Sequence, residues 1–576
     1  MSESTGITHI VSQSRAAELT SQVEIFSTDL TELGRFTAVG EDDLPESYAS
    51  LLAHHDHMTV TLEAYWESLV AVRVVQERLE GAVYARQSLL ARHSDNAIVQ
   101  YGIVRIDLAG LPANVRESIE KGNCPLGRIL IKNNLLRDVE LLALWRIEVG
   151  DELARRLAIP AGDVIYGRSA AIHLSGERAV DLLEIAGHTV LLLEREKMPR
   201  EHVGESLMPE SYWAFERLGI LEKLNASKFS RKVGVQFVNN TGRESQPFFF
   251  RSHDPSPSSE TWHVDRAEFD KMLFDNAADK GAHARDGMRV IEILLEGNRA
   301  VGVVVVQCDG ATHRITAQVV IDASGQQTLL ASKLGLRRVN PELKKAAIWR
   351  HYRGADRDES GGGVKTIILH TSDKKAWFWY IPQADDLVSV GCVADNDYLL
   401  KGRGKPEQTF QEELAKCEGV QQRVAGAEAM DDLRVAKEFS YMTDQAAGDG
   451  WVLVGDAWGF IDPVYSSGVY FALQSAMLAA DAVSEGLRQG DTSAAQLGKW
   501  DTEFRQATNS VRKLVHAFYS GEFRVGKFVT EHPHHHGNLT DLLIGRIFKP
   551  GVHTMFDDLD PWLEQQIAEA NSSDAV

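Results

Sequence analysis

Apolar positions along this chain follow two regimes, and the change between them near Gly187 marks its main joint. Before the joint, short apolar runs alternate with polar breaks. Leu69–Val75, Tyr84–Leu90 and Gln100–Ile106 have the length and β-branched or aromatic content of strands. His57–Leu62 opens a helix-like stretch, and Pro125–Leu130 starts a second. Tyr166–Leu174 and Ala179–Ile185, joined at Ser175-Gly176-Glu177-Arg178, predict a hairpin. Met1 to about Pro45 reads as a polar extension. After the joint, Thr189–Leu193, Val301–Val306, Gln318–Asp322 and Trp451–Val454 predict strands, the first a buried parallel one, and Ile348 to Ala394 reads as β-rich. Gly455-Asp456 breaks the Trp451–Val454 run where a backbone must approach a ligand closely. Ser466 and Ser467 stand where a helix needs an N-cap, and from Gly468 a Pro-free run of small and apolar residues predicts a long helix. From about Gly490 to Val576 the spacing is helical, most clearly over Trp500–Phe518.

Composition narrows the classes. The chain has 576 residues, enough for two to four domains, with 44% hydrophobic and 25% charged residues, ordinary for a globular protein. A net charge of −21 argues against nonspecific nucleic-acid binding. The four cysteines are scattered without a CxxC pair, so neither a zinc site nor a disulfide framework is expected. His534-His535-His536 are contiguous after Pro533, a pattern that predicts a solvated loop and no metal. No apolar core follows Met1 and no run of about 18 apolar residues occurs, so no signal, no membrane partner and a cytoplasmic protein are expected.

Candidate chemistry concentrates in Trp451–Leu487. The free N–H groups and positive end of the helix from Gly468 would face whatever Asp456 holds. The string WVLVGDAWGFIDPVYSSGVYFALQ resembles the second flavin-contacting motif of flavin-dependent halogenases and their relatives, the flavin monooxygenases and geranylgeranyl reductases. The hexapeptide Trp377-Phe378-Trp379-Tyr380-Ile381-Pro382 matches W-x-W-x-I-P and favours the halogenases; by period 2 its two indoles share a face. The resemblance runs from Gly187 to Pro561. It implies FAD, used as FADH2 with O2 and a halide, and a separate flavin reductase as partner. Gly455 and Asp456 would meet the ribityl chain, Ser467 and Gly468 the halide. Gly204, Glu205 and Ser206 would line the flavin edge; Arg200, Arg266, Asp322 and Gly325 would also lie at the cofactor. Trp377 and Trp379 would separate flavin from substrate, and Lys232 would hold or activate hypohalous acid beside an electron-rich ring. Tryptophan halogenases carry a glutamate just before the halide pair; Tyr465 stands there instead, which favours a phenol, free or carrier-bound, that activates itself once ionised.

One part of that pattern is missing. Glu194, closing His188–Glu194, stands where an acidic residue accepts from the adenosine ribose. A strand, a G-x-G-x-x-G turn and a helix should precede it within a βαβ unit of about 30 residues, but the text ahead is the hairpin of residues 166–185. Gly361-Gly362-Gly363 and Gly402-Arg403-Gly404 do not match. The sheet is therefore expected to carry a gap unless Ala179–Ile185 borders it, antiparallel to Thr189–Leu193.

The part before the joint resembles chorismate pyruvate-lyase on HMTVTLE (His57–Glu63), YARQSLL, PLGRIL (Pro125–Leu130), YGR (Tyr166–Arg168) and VDLLEI (Val180–Ile185). That resemblance implies that Arg86 binds the ring carboxylate of chorismate, a planar guanidinium suiting a bidentate carboxylate, with Glu184 opposite near the leaving enolpyruvyl ether, and that 4-hydroxybenzoate forms without a cofactor.

The expected architecture is α/β and α+β. A polar extension (1–46) and a small antiparallel-sheet lyase-like domain (47–186) precede an incomplete FAD-binding doubly wound domain (187–576). The latter has a core at 187–345 and 435–490, a β-rich substrate layer at 346–434 and C-terminal helices at 491–576. The expected function is halogenation of a phenol, coupled to 4-hydroxybenzoate formation from chorismate. The alternatives are a lyase or aromatic-acid-binding protein carrying an inactive flavoprotein remnant, and a flavin monooxygenase.

Overall fold

The computed structural model describes residues 17–574 apart from 27–28, 45, 67, 94–97, 136, 158–160, 163, 175, 187–189, 281, 309 and 360. The fold is mixed α/β, with separate sheets and a helical C-terminus. Seven antiparallel strands form the first sheet: β1 (Gly34–Val39), β2 (Val70–Glu80), β3 (Val83–Arg92), β4 (Ile98–Asp107), β5 (Arg137–Val149), β6 (Val164–Leu174) and β7 (Glu177–Ala186). Their order is β1-β5-β6-β7-β4-β3-β2. The predicted strands and the hairpin are present, and β1 and β5 are additions. Met58–Tyr65 and Leu126–Lys132 are the two expected helices, the second preceded by Pro125 at its N-cap.

The first correction concerns the polar extension. Leu19, Val23, Phe26 and Leu33 are buried against Trp145, Ile165 and Ile185, and β1 pairs with β5. Residues 17–24 are helical, and Leu19, Val23 and Phe26 recur at helical spacing. One apolar stripe anchors the segment despite its polar average. The second concerns Ala179–Ile185: β7 lies between β6 and β4 and borders no gap elsewhere. Thr189 itself falls outside the described residues. The strand after it, β8 (Leu191–Glu194), runs parallel to His283–Asp286 as expected but is half-buried along its length, not buried.

Beyond the joint the largest sheet holds ten strands. Its middle runs Ser230–Val238, Val364–His370, Ala376–Pro382, Leu387–Asp395, Arg337–Arg353 and Arg434–Thr443 in spatial order. Alternation along Ala376–Pro382 divides its side chains: Trp377 and Trp379 enter one core, Phe378 and Tyr380 another. Parallel pairing joins Ser230–Val238 to Val364–His370 in this sheet and recurs in two small sheets, β8 with His283–Asp286, and Val320–Asp322 with Trp451–Leu453, to which Ala447–Gly448 adds antiparallel. The long predicted helix runs Gly468–Gln489 and ends at Gly490 in the left-handed conformation. Among the described residues no helix is long and apolar enough to cross a membrane.

Candidate functional site

Two sites emerge, one on each side of the joint. In the first sheet, Arg86 on β3 and Glu184 on β7 line one cavity of about 50 Å³, together with His57, Ser88, Gln100 and Arg168. Arg86 is 2% exposed. Its Nη2 donates to the Cys124 carbonyl at 3.3 Å, while Nε and Nη1 have no hydrogen-bond partner among the described residues. A buried guanidinium with two unpartnered nitrogens is costly unless an anion completes it; burial lowers its pKa. Glu184 is not free: its Oε2 accepts from Nε of the fully buried Arg168 at 2.8 Å. Arg168 also donates to the carbonyls of His54 and Asp56, at 2.9 and 3.2 Å. Arg168 closes the YGR motif, but its pairing with Glu184 was not legible there, because its partners lie 16 to 114 residues away.

The second site gathers at the amino end of Gly468–Gln489. Ser467 is the N-cap residue but its hydroxyl makes no capping bond, so the first N–H groups of the helix stay available. Ser466 before it has φ +58, a left-handed conformation uncommon for serine and a mark of a shaped loop. Lys232, on Ser230–Val238, is buried and shares a narrow cavity with Tyr465, Ser466, Thr366 and Phe250. Its Nζ donates to the Leu207 carbonyl at 2.9 Å. Desolvation brings this ammonium down to about 7, so a neutral amine is accessible at ordinary pH. The Tyr465 hydroxyl donates to the Leu514 carbonyl at 3.3 Å, and burial pushes its pKa upward, keeping the phenol neutral.

The two tryptophans stand side by side, ring centres 6.4 Å apart. Trp379 Nε1 donates to Ser389 Oγ at 3.0 Å and Trp377 Nε1 to the Tyr519 hydroxyl at 3.1 Å. Tyr519 in turn donates to Asp462 at 3.2 Å, and burial lifts that carboxyl to about 7. Gly391 faces Trp379 across the ladder, and a Cβ there would lie 2.1 Å from the indole. Gly391→Ala should therefore displace Trp379 and cost about 1–3 kcal/mol, seen as a lower Tm with altered tryptophan fluorescence; an unchanged Tm would show that the indole has room to move.

Around the Gly-Asp turn, Gly455 has φ +57, its N–H donates to Ser475 Oγ at 2.9 Å, and a Cβ would touch Ala472. The Asp456 carboxylate takes no hydrogen bond among the described residues, and desolvation raises it to about 6 against the pull of Arg266. Arg266 follows its N-cap, Asp265, and grips Asp270 with Nε and Nη2 at 2.9 and 3.0 Å. Its Nη1 donates to the Val203 carbonyl at 2.5 Å and to Gly204 at 3.3 Å. Gly204 has φ +109, and a Cβ would meet that guanidinium at 2.7 Å. Glu205 accepts from His351 Nε2 at 2.9 Å, and His351 Nδ1 reaches Asp431 at 2.8 Å. Despite burial, the two carboxylates raise His351 to about 9. Ser206 bonds Thr366 at 2.8 Å. Thr366 meets Nε2 of buried His263, whose Nδ1 donates to the Pro382 carbonyl, both at 2.8 Å. Burial lowers His263 to about 3, so it is neutral and Nε2 accepts. His351, Asp431 and His263 lie too far away in sequence for any motif to have flagged them.

Three expected cofactor residues are committed within the chain. Asp322 accepts from Ser324 and Leu330 N–H at 2.9 and 2.8 Å, building its own turn, with Gly325 at φ +63. Arg200 pairs with Asp270 at 2.6 Å and Glu194 at 3.2 Å, and Glu194 also accepts from Glu196 N–H at 2.9 Å. The residues present suit a flavin's polyol: the desolvated Asp456 carboxylate has no hydrogen-bond partner among the described residues, and the helix end at Ser467 is uncapped. The predicted histidine loop also differs. His534 and His535 donate to Asp558 at 3.2 and 2.8 Å, and His532, His534 and Asp558 bring potential ligand atoms within 4.8 Å of one another.

The family profile described as tryptophan halogenase matches residues 164–255 and 250–528. The 1H-pyrrole-2-carbonyl-[peptidyl-carrier protein] brominase of Pseudoalteromonas luteoviolacea is 31% identical over 55% of this chain and 75% of its own. The structure of the flavin-dependent brominase Bmp2 is 26% identical with a TM-score of 0.58, covering 66% of this chain and 93% of that one. The myxobacterial chondrochloren halogenase CndH, described as a variant of FAD-dependent halogenases, is 30% identical with a TM-score of 0.56, covering 59% of this chain and 78% of its own.

Proposed function

The chain belongs to the tryptophan halogenase family, and from that premise we propose that it halogenates a phenolic ring, free or carrier-bound. In this reading its dinucleotide-binding core lacks the first strand and Gly-rich turn. The enzymes of this family use reduced FAD, O2 and a halide, the flavin being supplied by a separate reductase. The observation that carries the reading is the buried Lys232 amine sharing one cavity with the Tyr465-Ser466 loop, which leads into the free helix end at Ser467-Gly468.

Bound reduced flavin with O2 supplies the oxidising equivalent that turns halide into hypohalous acid. The chain's residues do the rest. The N–H groups at Ser467 and Gly468 hold the halide at a site of positive potential. Trp377 and Trp379 wall that site from the organic ring, so halide and not substrate is oxidised. Lys232 accepts a hydrogen bond from hypohalous acid as a neutral amine, or donates one as an ammonium, and presents it to the ring. Tyr465, held neutral, offers no base, so the substrate must bring its own activation, as an ionised phenol does.

The carrier-linked substrate named for the P. luteoviolacea brominase supports testing carrier-bound rings alongside free ones. A second reading extends the first. We propose that residues 47–186 form a lyase-like unit whose cavity binds an aromatic or cyclohexadienyl carboxylate on Arg86, chorismate foremost. The product, 4-hydroxybenzoate, is itself a phenol. Glu184 is then a carboxylate steadied by Arg168 and not a lone base.

The test is incubation of the full chain with FAD, a flavin reductase, NADH, bromide or chloride and 4-hydroxybenzoate, read by mass. Monohalogenation ortho to the hydroxyl is expected; oxygenation independent of halide would point to a monooxygenase. If the neutral Lys232 amine is the reactive form, kcat should rise with pH through about 7, following the depressed pKa. A profile flat from pH 6 to 8 would remove that role.

A further inference from the structure

Parallel strands are normally covered on both faces and paired on both sides. Here two parallel pairs, β8 with His283–Asp286 and Val320–Asp322 with Trp451–Leu453, belong to separate small sheets, apart from the parallel pair of Ser230–Val238 and Val364–His370 in the largest sheet. Each leaves apolar surface at the break. Val190 is 62% exposed, Leu191 to Leu193 are half-buried, and Ile321 is 47% exposed on a strand whose other residues, Val320 and Asp322, are buried. In a doubly wound sheet the pyrophosphate of a dinucleotide sits on the N–H groups of a Gly-rich turn that opens a helix between such strands. The chain passes from Ala186 at the end of β7 to Leu191 at the start of β8 with only residues 187–190 between. A strand, turn and helix of about 30 residues cannot be housed there. The ribose-side acceptor is occupied as well: Glu194 accepts from Arg200 and from Glu196 N–H.

The opposite half of the site is whole. The Asp456 carboxylate lacks a hydrogen-bond partner among the described residues, Gly204 and Gly455 leave no room for a side chain, and the helix from Gly468 keeps its N–H groups free. Resting on the flavin site proposed above, we infer that this chain recognises its flavin through the isoalloxazine ring and ribityl chain alone, so that it does not distinguish FAD from FMN or riboflavin. The adenosine and pyrophosphate, when present, lie against the open apolar break and add almost nothing to affinity.

The full-length chain would be titrated separately with riboflavin, FMN and FAD, following flavin fluorescence and visible absorbance. The three dissociation constants are expected within about threefold of one another, a difference well under 1 kcal/mol. Raising the salt should leave all three unchanged, because no phosphate is being neutralised. Asp456→Asn should weaken all three together, by about tenfold, since it alters a contact common to them. FAD binding ten or more times tighter than riboflavin, or a salt dependence confined to FMN and FAD, would overturn the inference while leaving the halogenase reading intact. Absence of binding by any of the three would overturn both.

Discussion

Replacing Lys232 with methionine should lower halogenation by about a hundredfold or more while leaving the protein as stable as before, or slightly more so. The two expectations follow from one environment. Lys232 is 4% exposed, its ammonium is desolvated to a pKa of about 7, and a single carbonyl, that of Leu207, accepts from it. A charge buried with one neutral partner does not stabilise a fold, and methionine matches its length without that penalty. The measurement is brominated or chlorinated product per minute beside a thermal melt. Free hypohalous acid caught by a small-molecule trap in the variant would show that oxidation of halide survives and that delivery alone has failed. A fully active methionine variant would reduce Lys232 to a packing residue.

Arg86→Met is expected to have the second large effect. Loss of a charge-assisted pair to a carboxylate is worth about 1.5–3 kcal/mol, a weakening of roughly 10- to 150-fold, measurable by titrating 4-hydroxybenzoate into the protein calorimetrically. Stability should move the other way. Among the described residues Arg86 Nε and Nη1 have no hydrogen-bond partner, so its removal relieves a cost that only a bound anion offsets; the melting temperature should rise. Pyruvate release from chorismate, if the cavity performs the elimination, should disappear in the same variant. A lower melting temperature with ligand affinity unchanged would identify Arg86 as a structural residue.

Much of the fold was readable because its signals are local. The hairpin β6–β7, the strands β3 and β4 and the helix from Gly468 each announce themselves through period, turn residues or caps within a dozen positions. What escaped was decided at a distance. β1 is short and mixed in character, and its place on β5 depends on pairing between residues more than 100 positions apart. β8 has the apolar run of a buried strand, yet burial needs neighbours on both sides; among the described residues it pairs with one strand only, and though Leu193 packs on the core the strand stays half-buried. The same holds at the sites. Lys232, the two tryptophans and the Gly-Asp turn could be picked out because each lies in a short local motif. Side chains of the surrounding network, His263, His351 and Asp431, were silent because each is defined by contacts with elements remote in sequence. Asp322 misled for a related reason: a carboxylate in a ligand-binding turn is also the residue best suited to build the turn, and here it does so with both oxygens.

The Ala376–Pro382 strand, with its tryptophans on one face and Phe378 and Tyr380 on the other, has a consequence for how this chain can diversify. Because neighbouring positions feed opposite cores, substitution within either set changes one core at a time, and lineages can vary the wall beside the reactive site without disturbing the far side. Insertion or deletion of one residue is another matter: it would exchange the two sets wholesale, sending both indoles away from the reactive site and two other rings into it. This strand should therefore evolve by replacement and keep its length, while the loops on either side of it remain free to grow.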